Sequence, residues 1–151
     1  MAINGKTFMD AGLKGKIDSF YAPATIALLI NDSGGDLNEG SSMTAVASKE
    51  LPDGNGYERK QVTLPSATIE NTNPRQATAT SEEITFTASG GNIPEFTHIA
   101  FVINGSTTVG STDGIIDRVE PVNNGTPISL NDGESYKHSF IQSETGEYIE
   151  S

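Results

Sequence analysis

The chain has 151 residues, no cysteine and no tryptophan, and its 20 acidic and 9 basic side chains give a formal net charge of −11. That length supports one ordinary core, burying roughly 70% of the surface an unfolded chain exposes, while the lack of thiols excludes disulfides, thiolate zinc sites and cysteine nucleophiles. The charge opposes docking on nucleic acid or on an anionic membrane.

No run approaches the ~20 apolar residues of a membrane span. The opening stretch MAINGKTFMDAGLKGK also lacks the apolar region of a signal peptide. The expectation is a protein made in a cytoplasm and not exported through an N-terminal signal.

Between Gly5 and Phe20, the residues Phe8, Met9, Leu13, Ile17 and Phe20 recur near helical spacing, with Lys6, Lys14, Lys16 and Asp18 left for other faces. Gly12 and Gly15 each weaken a helix by about 1 kcal/mol relative to alanine. The segment 1–21 therefore reads as a short helix or an arm that orders on a partner surface. Its candidate interface residues are Phe8, Leu13, Ile17 and Phe20.

From Ala22 the pattern changes to short β-prone runs separated by clusters of Gly, Pro, Asn, Asp and Ser. The predicted strands are Thr25 to Ile30, Thr44 to Ser48, Tyr57 to Leu64, Glu82 to Ala88, Thr97 to Asn104, Ile115 to Glu120, Thr126 to Leu130 and Ser135 to Ile141. Pro65 to Thr80 reads as a long loop or an irregular edge. About eight strands with such turn chemistry predict a mainly β fold, an antiparallel β-sandwich, jelly roll or small barrel. The expected organisation is an arm at 1–21, a β-sandwich domain at 22–142 and a C-terminal tail at 143–151.

Two hexapeptides stand apart, IALLIN at Ile26 to Asn31 and IAFVIN at Ile99 to Asn104. Half-exposed strands alternate, whereas these runs are unbroken, which predicts central strands buried on both faces. One face would cover the sandwich core, and the other would meet the N-terminal helix, a long loop or a neighbouring subunit.

Chemical motifs are sparse. NGKT at Asn4 to Thr7 lacks the earlier glycine and the preceding strand of a phosphate loop. Asp32, Asp36 and Glu39 are oxygen donors of the type calcium takes, without EF-hand spacing; Asp113, Asp117 and Asp132 are weaker candidates. Turn formation accounts for these acids. His98 and His138 are the two histidines. His98, just before a buried run, is expected to orient a strand end by bonding a neighbouring backbone group. With no GxSxG elbow and no tryptophan for stacking sugars, neither a serine hydrolase nor a glycosidase is predicted. The sequons at Asn31, Asn104 and Asn124 read as turns. No catalytic residue, cofactor or metal is expected.

The order of signals carries more information. APATIALLI is followed by a Gly-rich loop, GYERKQVT, EEITFTASGGNIPEFTHIAFV and a late ISLNDGESYKHS. This order resembles small virion proteins of tailed bacteriophages, tail-fibre-like proteins and capsid cement or decoration proteins. Gly56, Tyr57, Arg59, Val62 and Thr63 match a GGYxRxxVT-like strand; Ile84, Thr85, Phe86, Thr97 and His98 match an ITFP-like strand and the THxxL-like element after it. Pro94, Glu95 and Phe96 stand where that group carries a tryptophan.

The resemblance implies a non-enzymatic β-sandwich protein that assembles in the host bacterial cytoplasm and resides in the virion. Its partners would be the major capsid protein or other virion proteins, and such proteins are commonly trimers. The alternatives are a tail, baseplate or fibre-associated protein and, from another class, a carbohydrate-binding module.

Overall fold

A computed structural model describes residues 9–71 and 75–145. In chain order the elements are helix α1 (Asp10–Phe20), strand β1 (Thr25–Ile30), helix α2 (Met43–Ala47), β2 (Lys60–Val62), β3 (Thr68–Glu70), β4 (Gln76–Thr80) and β5 (Ile84–Thr87). There follow β6 (Ile93–Phe96), β7 (His98–Ile103), β8 (Ile115–Pro121), β9 (Ile128–Leu130), β10 (Ser135–His138) and β11 (Ile141–Thr145). All pairings are antiparallel, so the fold is mainly β with a short N-terminal helix, as the sequence predicts. Among the described residues no helix is long and apolar enough to cross a membrane.

Residues divide into two compact units, a larger one of 24–62 and 83–138 and a smaller one of 1–23, 63–82 and 139–151. The larger unit holds a four-stranded sheet in the order β2-β1-β7-β8. The two repeated runs are its central pair, and they lie antiparallel from Thr25 opposite Ile103 to Ile30 opposite His98. Every residue of β1 is buried.

Strand geometry assigns the two faces. Ile26, Leu28 and Ile30 share one face with Ala100 and Val102, where Met43 and Val46 of α2 pack with Leu37 from the preceding loop. A long loop and its short helix thus supply the second cover that an unbroken apolar run requires. The opposite face carries Ala27, Leu29, Ile99 and Phe101. There the Phe101 ring lies 5.9 Å from the His138 imidazole of β10, and Tyr57 stacks on Phe86 of β5 at 6.1 Å. β5 and β10 pair with each other, so this face is the sandwich interior.

The loop between β7 and β8 doubles back tightly. Gly114 has φ +101, and a side-chain carbon there would come within 2.8 Å of both the Gly105 α-carbon and the Ile103 carbonyl. Only glycine tolerates that backbone and that approach.

Thr44 to Ser48, predicted as a strand, belongs instead to α2 and its C-cap. Thr44 and Val46 favour a strand intrinsically, but the Ser42 hydroxyl accepts the Ala45 N–H at 3.1 Å and caps a helix whose Val46 seals the sheet. Pro65 to Thr80, read as a loop or irregular edge, contains β3 and β4.

In the smaller unit β11, β4 and β3 form one sheet. Ala77 and Ala79 are buried on the face where Leu13 and Ile17 of α1 pack with Ala67. Small side chains let the helix approach closely. Three further contacts anchor α1: Asp18 accepts the Ala67 N–H at 3.0 Å, the Tyr21 hydroxyl donates to Gln142 at 3.0 Å, and Arg75 grips Asp10 with two donors at 2.8 and 2.6 Å. Helix α1 thus packs on this chain's own sheet. β11 also takes up Ser143 to Thr145, read as the start of a tail.

Replacing Leu13 by alanine is expected to cost about 2–3 kcal/mol, near the low end for a buried leucine because its alanine neighbours can close part of the cavity. Hydrogen exchange at the β4 amides would register the loss.

Candidate functional site

The candidate interface residues do not share one surface. Leu13 and Ile17 are buried within the smaller unit, whereas Phe20 is exposed and sets its ring edge-on to Tyr21 at 5.0 Å. Phe8 and the NGKT stretch lie outside the described residues.

Two polar constructions organise the larger unit. The first surrounds Arg59, whose guanidinium is fully buried with the nearly fully buried Glu50 carboxylate. Nε and one terminal nitrogen of Arg59 donate to the two Glu50 oxygens at 2.9 and 2.7 Å, a fork-to-fork pair. Two further donors reach the Ser106 carbonyl at 3.0 Å and the Ser111 carbonyl at 2.9 Å. Glu50 also accepts the Gly110 N–H at 2.8 Å and the Tyr57 hydroxyl at 2.6 Å. Tyr57 oxygen in turn accepts the Leu29 N–H at 3.2 Å. The clamp ties β1, the segment leading into β2 and the β7–β8 loop together.

Burial, and then the Glu50 charge, push the Tyr57 phenol far above its ordinary value of 10.0. Tyr136 is also raised, by burial first and then by Glu120. Each folded-state phenol keeps its proton where the unfolded chain releases it, so this contribution to stability is complete below pH 10 and declines above it. In a spectrophotometric titration Tyr57 is expected to remain protonated until the protein unfolds. Its ionisation with an ordinary exposed phenol would contradict the clamp geometry.

The second construction begins at Asp32. Its carboxylate accepts the N–H groups of Asp36 and Leu37 at 3.0 and 3.2 Å, and Lys49 lies 3.7 Å from Asp32 and 2.6 Å from Asp36. Hydrogen bonding to Asp36 raises the Lys49 pKa despite partial desolvation. An ammonium group thus sits against the carboxylates considered for calcium. Among the described residues no three Asp, Glu or His side chains converge to hold a metal ion.

The Asp32 backbone N–H donates to the Thr97 hydroxyl at 2.8 Å, and that hydroxyl lies 2.7 Å from His98 Nδ1. His98 is thus tied to a neighbouring side chain, where a backbone partner was expected. Asn31 accepts the Ser33 N–H at 3.1 Å, and Asn104 and Asn124 have positive φ, all turn conformations.

Beside Asp32 the structure opens a groove of about 670 Å³. Asp32, Leu37, Asn38, Glu39, Ser41 and Val46 form one side, while His98, Ile116, Val119 and Pro121 contribute to the other. Asp32 and Glu39 are thereby brought to one cavity.

His138 is part of a separate chain that sequence spacing did not reveal. Its Nδ1 lies 2.7 Å from the Tyr136 hydroxyl and its Nε2 2.9 Å from Glu120 Oε1. A neutral imidazole satisfies both contacts by accepting from Tyr136 and donating to Glu120. Tyr136 and His138 alternate on β10, a visible signal, but Glu120 arrives from β8 through the tertiary fold.

No known protein family, curated protein or solved structure matches the chain. The chemistry must be read from its own residues.

Proposed function

We propose that this chain is a non-enzymatic structural protein of a tailed-bacteriophage virion, most specifically a cement or decoration subunit that binds across major capsid protein subunits and assembles with copies of itself as a trimer. The carrying observation is how the matched GYER residues are used: Tyr57 and Arg59 join Glu50 to fasten loops in a buried clamp. A virion component that binds through surface area needs such rigid loops. The histidine chemistry agrees with this reading. The Glu120–His138–Tyr136 chain ends on a phenol whose pKa is raised, which opposes formation of a phenolate nucleophile.

Counting copies of the protein in purified particles tests the proposal. Hundreds per virion are expected for a head protein, a few to a few dozen would move it to the tail or baseplate, and none would overturn the virion reading.

A further inference from the structure

We infer that the groove beside β8 is a docking site for an extended segment of another protein that presents aliphatic side chains next to lysine or arginine. The inference deepens the assembly reading and takes from it the expectation of a protein partner. Its physical basis is an incomplete cover. Buried Val46 packs over the apolar face of β1 and β7, while Leu37 and Met43 around it and Ile116 and Val119 on β8 remain only half-buried.

The aliphatic side chains and the lack of a Phe, Tyr or Trp ring among the lining residues favour aliphatic groups over a stacked sugar or base. The volume of about 670 Å³ admits several side chains in succession. At the rim, Asn38, Ser41 and His98 provide polar contacts, and the exposed Glu39 adds a carboxylate. Asp117 and Arg118 both line it and pair with each other at 2.8 Å, so Glu39 is the carboxylate left to set its local charge. The larger unit carries thirteen acidic against five basic side chains, so its field favours a cationic segment.

The test uses the full chain and two synthetic peptides, one alternating leucine with lysine and the other leucine with glutamate. The leucine–lysine peptide is expected to shift the methyl resonances of Val46, Ile116 and Val119 and to bind at least about tenfold more tightly than its acidic counterpart. Glu39→Lys should reduce that preference to within about threefold, and Val119→Gln should weaken both peptides. Equal binding of the two peptides, shifts confined to methyls outside the groove, or an unchanged preference in Glu39→Lys would each overturn the inference. Virion counting decides the assembly reading separately, because a peptide result does not depend on finding the protein in particles.

Discussion

Arg59→Met is expected to destabilise the larger unit by about 3–5 kcal/mol, because it leaves the Glu50 carboxylate buried without its cation. The Glu50 side chain is only 2% exposed, so solvent cannot replace the guanidinium without opening the structure. The loss also releases the carbonyls of Ser106 and Ser111. Chemical denaturation would measure the stability change, while faster amide exchange at Gly110 would locate it in the β7–β8 loop. Arg59→Lys preserves the charge but not the fork that serves four acceptors, so it should restore only part of the loss. A double Arg59→Met, Glu50→Met variant should recover more than Arg59→Met alone, since it leaves no uncompensated charge. A single Arg59→Met variant within about 1 kcal/mol of wild type would refute the clamp's role.

The sequence was most legible where one strong pattern dictated one outcome. IALLI and IAFVI could not remain edge strands without exposing large apolar side chains, and the structure makes them the central pair. The smaller unit was harder to read because alanine supplies its buried positions. Gln76 to Thr80 alternates as a strand should, yet Ala77 and Ala79 give a weak hydropathy signal that acquires meaning only beneath Leu13 and Ile17. At Met43–Ala47, the serine cap and the open sheet face overrode the β preference of Thr44 and Val46.

The polar constructions show the same distinction. Tyr57 and Arg59 could be singled out from the GYER stretch, and Glu50 lies only nine residues before Arg59, but no sequence spacing predicts that both meet Glu50 or that Glu50 and Arg59 reach the Gly110 loop. Asp32 was visible as an acidic loop residue. Its job, however, depends on the backbone turning so that Asp36 and Leu37 present their N–H groups to it. Ile116 and Val119 gave only the signal of another strand. The groove exists because α2 and its loop leave their part of the sheet less covered, a consequence of tertiary width rather than of local pattern.

Phe101→Ala carries this relation between pattern and packing to its largest apolar test. Phe101 is fully buried on β7, opposite Ala27 of β1 and Arg118 of β8, and its ring faces His138 across the sandwich. Truncation should cost about 3–5 kcal/mol from lost transfer energy and the cavity left behind. The adjoining polar chain limits collapse, because His138 must keep both Tyr136 and Glu120 within hydrogen-bond reach. Phe101→Leu should cost distinctly less by retaining most of the apolar volume. Denaturation of both variants would compare these costs, and imidazole resonances would report whether His138 moves. A Phe101→Ala loss below about 1 kcal/mol would mean that the interior closes around the missing ring, contrary to the two-sided packing that makes β7 a central strand.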